Sequence, residues 1–211
     1  MTKPSLTRRA ALTGATAFAA YPALGQAVRR VTMLGDSITA GYGLNARDAV
    51  PAQLEAELRR IGVPTRVTAA GVSGDTSAAG LARADFSVKA DTELCIVALG
   101  GNDLLQGLDP NALARNLTAI VNKLKARKIA VLLVGVHAPP VMGGAYARDF
   151  NAAFARVARE TKVAFYPDLL AGVEGVAALN QGDGIHPNPN GAKLIARKLA
   201  PPVAAALKAR R

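Results

Sequence analysis

Residues 30–37 read Arg30-Val31-Thr32-Met33-Leu34-Gly35-Asp36-Ser37. A short apolar run that contains β-branched residues and stops at a glycine is typical of a buried strand followed by a tight turn. Four similar runs follow along the chain, and the predicted strands are residues 30–34, 65–69, 94–99, 130–136 and 163–166.

Longer amphipathic stretches separate these strands. Their apolar residues recur at helical spacing, which predicts helices at residues 50–61, 77–84, 110–127, 146–161 and 190–207. Asp109 before Pro110 fits a capped helix start. The alternation of strand and helix, with no break in composition, predicts one α/β domain with a parallel sheet. Because ligands of such sheets gather beyond the carboxyl ends of the strands, polar residues that follow the strands are the first functional candidates.

Residues 1–27 carry the features of an export signal. They contain basic residues and no acidic one, then a small-apolar run at residues 10–20, and they close with Gly25-Gln26-Ala27. Residues 7–12 also resemble a twin-arginine signal. We therefore expect a cleavable signal peptide at 1–27, one folded domain at 28–211, and a periplasmic or secreted mature protein.

Composition narrows the class of protein. The chain has 211 residues, of which 50% are hydrophobic and 19% charged, which favours a folded core over disorder. The net charge is +11, but the basic residues are scattered and do not alternate with aromatic ones, so we expect no nucleic-acid partner. No segment after the signal approaches the length of a membrane span, so we expect no stable membrane insertion. The single cysteine, Cys95, lies in an apolar run and is interpreted as a buried structural thiol.

Polar or glycine-rich segments follow the first three predicted strands. Ser37 comes directly after the first strand, where a following helix start would present its hydroxyl at the rim of the sheet. Gly74 follows the second strand and permits a close backbone approach to a ligand. Asn102 follows the third strand and can extend an amide donor to the same rim. Each segment alone is equally compatible with a plain turn, and Thr39 stands where the G-x-S-x-G elbow of α/β-hydrolases needs glycine.

Asp183 and His186 stand three residues apart near the C-terminus. In a turn they can meet on one side, so that the carboxylate holds one imidazole nitrogen protonated and the other accepts a proton from Ser37. A surface hydrogen bond is the alternative interpretation. The chain has two histidines, and His137 lacks a carboxylate nearby in sequence, so we interpret it as part of a pocket wall or a loop.

Taken in order, four motifs resemble the four blocks of the SGNH, or GDSL-type, hydrolases. They are Gly35-Asp36-Ser37, Gly74, Gly100-x-Asn102-Asp103 and Asp183-x-x-His186. Within that family, residues 73–83 and 183–188 are similar to the branch of periplasmic acyl-CoA thioesterases, lysophospholipases and arylesterases. The resemblance implies a flavodoxin-like three-layer α/β/α sandwich with a parallel five-stranded sheet.

The resemblance also implies catalytic roles. Ser37 is the expected nucleophile, His186 the general base and then acid, and Asp183 the carboxylate that orients it. The implied oxyanion hole consists of the Ser37 and Gly74 backbone N–H groups and the Asn102 side-chain amide. The implied chemistry proceeds through an acyl-enzyme and uses neither a metal nor an organic cofactor. Three further carboxylates are expected to brace the loops: Asp36, Asp75 and Asp103.

The substrate implied by the resemblance is a small aryl or acyl ester, including lysophospholipids and thioesters. In related thioesterases two loops shape an acyl groove, and here these loops supply Leu104, Leu105, Leu108, Val141 and Met142. One alternative is a carbohydrate O-acetyl esterase of the cell envelope, although the chain lacks the tryptophan common at polysaccharide sites. Another is a catalytically silent protein that binds a lipid or envelope ligand. A nucleotide-binding module is disfavoured because both the spaced-glycine fingerprint and the P-loop lysine are missing. We expect a monomer.

Overall fold

The fold is built on one parallel β-sheet. The computed structural model describes residues 27–209, so the predicted signal peptide lies outside the described residues except for Ala27. Five strands form the sheet in the order β2-β1-β3-β4-β5. They are β1 Arg29–Gly35, β2 Thr65–Gly71, β3 Leu94–Ala98, β4 Ala130–Val134 and β5 Ala164–Tyr166. The predicted five-stranded parallel sheet is confirmed.

Helices connect successive strands, and one more helix follows the last strand. They are α1 Ser37–Ala40, α2 Val50–Arg60, α3 Ser77–Ser87, α4 Gly101–Leu105, α5 Pro110–Ala126, α6 Gly144–Thr161 and α7 Pro189–Ala209. Asp109 caps α5 as predicted, since its side chain accepts a hydrogen bond from the Asn111 backbone N–H at 2.9 Å. Within residues 27–209, no helix combines the length and the apolarity that crossing a membrane requires.

The core lies on both faces of the sheet. Because side chains alternate along a strand, Leu34 of β1 joins one apolar cluster and the preceding Met33 joins the other. The first cluster includes Phe150 and Phe154 of α6 together with residues of α3 and α5. The second cluster is closed by residues of α2 and α7, among them Leu54. Helices therefore cover the sheet on both sides, which confirms the three-layer α/β/α sandwich.

Cys95 lies at the centre of the sheet in β3 and is fully buried. Burial raises the pKa of its thiol to about 12, so the group stays protonated and unreactive at neutral pH. Its predicted place in a buried strand is confirmed.

Some element boundaries differ from the prediction. β4 ends at Val134 rather than at residue 136, because beyond the Val134–Tyr166 pair the Gly135 carbonyl accepts from the Leu169 backbone N–H at 2.9 Å, one residue past the partner that a regular parallel ladder would supply. The short helices α1 and α4 were not predicted, since four or five residues are too few to show a helical period. Both begin within three residues of the end of a strand, where they shape the site described next.

Candidate active site

The site lies where the order of the strands changes direction. β2 flanks β1 on one side and β3 flanks it on the other, so the loops after β1 and β3 diverge at their carboxyl ends. The first of these loops is a sharp turn from β1 into α1. Gly35 makes the turn possible, because a Cβ atom there would lie 2.8 Å from the Ala98 carbonyl oxygen. Asp36 caps α1 by accepting a hydrogen bond from the Ile38 backbone N–H at 3.1 Å, and Ser37 opens the helix at the sheet rim.

Asp183, His186 and Ser37 form a continuous chain of contacts. Asp183 Oδ2 lies 2.6 Å from His186 Nδ1, and His186 Nε2 lies 2.9 Å from Ser37 Oγ. Asp183 Oδ1 also accepts hydrogen bonds from the Ile185 backbone N–H at 2.9 Å and the His186 backbone N–H at 3.0 Å. The structure thus brings the three predicted triad residues together in the order that proton transfer requires.

The Asp183 carboxylate is held in its ionised form. Hydrogen bonds from the His186 backbone N–H and ring and from the Ile185 N–H lower its pKa to about 2. An ionised carboxylate accepts hydrogen bonds and donates none, so the ring hydrogen belongs on Nδ1. His186 Nε2 then has its lone pair directed at the Ser37 hydroxyl, which is the tautomer needed to accept that proton.

The three predicted oxyanion donors border one cavity together with His186. Ser37 is the first residue of α1, where backbone N–H groups have no acceptor within the helix. Gly74 has a φ of +87°, a conformation that residues with a Cβ atom rarely adopt. One Asn102 amide hydrogen is donated to the Asp75 carbonyl oxygen at 2.9 Å, and the amide has a second hydrogen to offer.

Buried carboxylates brace these donor loops. Asp75 pairs with Arg83 at 2.5 Å, and Arg83 also donates to the Gly35 carbonyl at 2.7 Å. This network joins the loop that contains Gly74 to the end of β1. Asp103, next to Asn102, accepts hydrogen bonds from the Ser77 backbone N–H at 2.7 Å and from its hydroxyl at 2.5 Å. Asp75 and Asp103 therefore make the bracing contacts expected from the sequence.

Asp36 is also buried, with a residue exposure of 5%. Burial raises its pKa from the ordinary 3.8 to about 6, against the opposing effect of hydrogen bonds and of nearby His186. A buried carboxyl group with a pKa of about 6 therefore lies next to the candidate nucleophile, Ser37.

The cavity has a volume of about 370 Å³. Leu104 and Leu105, two of the predicted groove residues, line it. Leu108, Val141 and Met142 are not among its lining residues within the described chain. Tyr146 donates a hydrogen bond to the Leu108 carbonyl at 3.0 Å and so fixes that loop to α6, while Val141 stands 89% exposed on a single turn. Three of the five residues predicted to form the acyl groove therefore lie outside the lining of the cavity that reaches Ser37.

Other cavity residues were missed from the sequence. Seven of them are apolar: Ile38, Tyr42, Ala98, Val136, Leu169, Leu170 and Ile185. Leu169 and Leu170 follow β5, so the rule that sites gather beyond strand ends could have identified them. His137 lies on the same wall, as one of its predicted interpretations requires.

The charge of the cavity contrasts with that of the whole chain. The protein carries a net charge of +11, yet no lysine or arginine of the described residues lines the cavity. Its carboxylate-bearing wall residues are Asp36 and Glu174. The site is thus an apolar cavity with acidic groups on its wall.

The chain is similar to known hydrolases over most of its length. Residues 33–194 match the GDSL-like Lipase/Acylhydrolase family. Esterase TesA of Pseudomonas aeruginosa is 40% identical over 162 residues, which cover 76% of this chain and 81% of that protein. Thioesterase 1/protease 1/lysophospholipase L1 of Escherichia coli is 36% identical over 169 residues, which cover 80% of each chain.

Solved structures agree with these sequence matches. The crystal structure of AlinE4, an SGNH-hydrolase family esterase, has a TM-score of 0.72 and 41% sequence identity. The match covers 85% of this chain and 97% of AlinE4. The chain therefore belongs to the GDSL-like lipase/acylhydrolase family, and it is an ester hydrolase of the SGNH type.

Proposed function

We propose that this protein is a serine esterase that uses Ser37 as nucleophile, His186 as general base and acid, and Asp183 to orient the imidazole. The observation that carries the proposal is the uninterrupted contact chain from Asp183 Oδ2 through the imidazole to Ser37 Oγ. A serine hydroxyl is a weak nucleophile, and an adjacent oriented base is what activates it.

In the first half of the reaction, His186 Nε2 takes the Ser37 proton while Ser37 Oγ attacks the ester carbonyl carbon. The carbonyl oxygen becomes an oxyanion, which the Ser37 and Gly74 N–H groups and the Asn102 amide stabilise. The imidazolium, paired with Asp183, then gives its proton to the departing alcohol oxygen or thiolate sulfur. The bond to the leaving group breaks and an acyl-enzyme remains on Ser37.

In the second half, His186 takes a proton from water, and the water oxygen attacks the acyl carbon. The same donors stabilise the second oxyanion, and His186 returns the proton to Ser37 Oγ as the carboxylic acid departs.

The cavity favours neutral acyl and aryl esters and lysophospholipids as substrates. Leu104, Leu105 and Ile185 provide apolar contact for an acyl chain or an aryl ring. The names of the relatives, an esterase and a thioesterase that is also a lysophospholipase, support this class. The carboxylates of Asp36 and Glu174 disfavour a polyanionic leaving group, so we rank acyl-CoA below neutral esters and neutral thioesters of the same acyl chain.

A paired substrate panel tests this ranking. The measurement is kcat/KM for an aryl octanoate, lysophosphatidylcholine and octanoyl-CoA, with wild-type protein, Glu174→Lys and the surface control Glu160→Lys. We expect octanoyl-CoA to be the poorest substrate and Glu174→Lys to improve it selectively. Equal improvement in Glu160→Lys would point to the overall charge instead. Preference for octanoyl-CoA by the wild type would overturn the ranking, and preference for acetylated xylan over all three esters would favour the O-acetyl esterase.

We also propose that residues 1–27 direct export and are then removed. The proposal rests on their basic start, their apolar run and their closing Gly25-Gln26-Ala27. Expression of the full chain in a bacterium, followed by N-terminal sequencing of the periplasmic protein, tests it. We expect a new N-terminus at Val28 and loss of export when Arg8 and Arg9 are both replaced by lysine. An uncleaved cytoplasmic protein contradicts the proposal, whereas export that survives the lysine replacements points to another route.

A further inference from the structure

The segment that carries the base is exposed to solvent. Gly182, Asp183, Gly184 and Ile185 are all exposed, and Gly184 adopts a φ of +70°. Ser37, in contrast, is half-buried in a turn that is anchored to the sheet. Because catalysis depends on a precise distance between these two segments, an exposed loop needs a specific tie to the nucleophile.

Gln181 makes three hydrogen bonds within the segment that carries the base. Its backbone N–H donates to the His186 carbonyl at 2.8 Å, and its own carbonyl accepts from the Gly184 N–H at 3.0 Å. Its side-chain Nε2 donates to the Pro187 carbonyl at 3.0 Å. These bonds close the base-bearing segment into a compact loop around Gln181.

The remaining Nε2 hydrogen of Gln181 crosses to the nucleophile segment. It is donated to the Tyr42 carbonyl oxygen at 2.8 Å. The Tyr42 backbone N–H in turn donates to the Ser37 carbonyl at 3.0 Å. A path of two hydrogen bonds therefore runs from the loop of the base to the nucleophile residue, separate from the contact between their side chains.

Tyr42 adds a second contact with the base. Its ring lies over the His186 imidazole with 4.6 Å between ring centroids and 37° between planes. Aromatic packing of this kind restricts rotation of the imidazole. Gly43, the next residue, leaves room for Gln181, since a Cβ atom at Gly43 would collide with Gln181 Oε1.

We propose that Gln181 is a positioning residue that fastens the base-bearing loop to the segment of the nucleophile and holds Tyr42 over His186. The inference rests on the proposed function, since it concerns the geometry of the same pair. Gln181 is not among the residues that line the cavity of Ser37 and His186. Its effect is on how often His186 lies within proton-transfer distance of Ser37 Oγ.

Substitutions that separate size from hydrogen bonding test the proposal. Gln181→Met keeps the length of the side chain and removes both donors, whereas Gln181→Lys keeps donors that can reach the two carbonyls. Gln53→Met is the matched control, because Gln53 Nε2 also donates to a backbone carbonyl, that of Arg47 at 2.8 Å, away from the cavity. The measurements are kcat and KM for an aryl ester and the melting temperature of each variant.

We expect Gln181→Met to lower kcat about 10- to 100-fold, the scale of loss that follows small misplacement of reacting groups. KM should change by less than about threefold, because Leu104 and Leu105 of α4, which line the cavity, lie outside the two segments that Gln181 joins. Gln181→Lys should recover most of the rate, and Gln53→Met should match the wild type. Should Gln181→Met yield too little folded protein, Gln181→Glu against Gln181→Lys makes the same comparison, because glutamate loses the donors.

An unchanged kcat in Gln181→Met, or an equal loss in the methionine and lysine variants, would overturn the proposal. A fall in kcat matched by a fall in the folded fraction would assign Gln181 a merely structural role and would also overturn it. Wild-type protein and Ser37→Ala are assayed in parallel. If wild-type activity does not depend on Ser37, the proposed function fails, whereas failure of the Gln181 pattern alone leaves that function intact.

Discussion

His186 Nε2 lies 2.9 Å from Ser37 Oγ, although the two residues are 149 positions apart in the chain. Ser37 follows the first strand, and His186 stands in the loop before the last helix. The sheet order brings these distant segments to one rim, beside the loops of Gly74 and Asn102. In the proposed mechanism, proton transfer from Ser37 to His186 depends on that contact.

The two histidines provide a matched comparison, since both line the cavity. We expect His186→Ala to lower kcat by about 10³-fold or more, because Ser37 loses its base. His137→Ala should lower kcat by less than about fivefold, since His137 would be only a wall residue. Steady-state hydrolysis of an aryl ester measures both, and comparable losses would show that the base is wrongly assigned.

Asp183→Asn tests the orienting carboxylate. An asparagine side chain of the same size can present its amide to Nδ1, which favours the tautomer with its hydrogen on Nε2, the wrong one for accepting a proton. We expect kcat to fall about 10²- to 10⁴-fold while the melting temperature changes little, since Asp183 is exposed. An unaffected rate would remove Asp183 from the mechanism.

Asn102→Ala tests the oxyanion hole. Loss of one donor at the developing oxyanion is expected to lower kcat about 100- to 1000-fold with little effect on KM, because the donor acts mainly in the transition state. The variant also loses the bond to the Asp75 carbonyl, so the melting temperature is measured alongside the kinetics. A rise in KM alone would place Asn102 in ground-state binding instead.

Much of the fold and the reactive core could be predicted from the sequence because both depend on local patterns. The strand that ends at Leu34 and the motif Gly35-Asp36-Ser37 are adjacent in sequence, so strand, turn and candidate nucleophile were identified together. Asp183 and His186 are likewise three residues apart, and their contact is a property of one turn.

The cavity wall was harder to predict because it depends on how distant segments pack. Leu108 looked like a groove residue, but Tyr146, 38 positions away, holds its loop against α6. Gln181 gave no signal in sequence, since its role arises from contacts with Tyr42, 139 positions distant. The raised pKa of Asp36 likewise comes from burial among other elements, which no short motif reveals.

The raised pKa of Asp36 predicts how the free energy of unfolding depends on pH. The pKa of this carboxyl group is about 6 in the folded protein and 3.8 ordinarily, so the folded state binds the proton more tightly than the unfolded state does. Its stabilising contribution is complete below about pH 4 and is lost as the pH rises through 6. At pH 8 the buried charge then costs about 3 kcal/mol, the free-energy equivalent of that shift.

The variant Asp36→Asn removes the titration and keeps an oxygen acceptor for the Ile38 N–H. We expect it to raise the free energy of unfolding relative to wild type, and to raise it more at pH 8 than at pH 4.5, as measured by chemical denaturation. Asp149→Asn, which changes an exposed carboxylate, is the control and should show no such trend. A pH profile in Asp36→Asn parallel to that of the wild type would contradict the burial effect.

Pre-steady-state hydrolysis of an aryl ester, combined with the intact mass and the peptide map of the quenched protein, tests whether Ser37 is the nucleophile. For an ester whose deacylation is slow, we predict a burst of one aryl alcohol per protein chain and a matching acyl group on the peptide that contains Ser37. Ser37→Ala should show neither. A wild-type protein that hydrolyses the ester with no burst and no acyl adduct, or a Ser37→Ala variant that keeps the full rate, would contradict catalysis by Ser37 and His186.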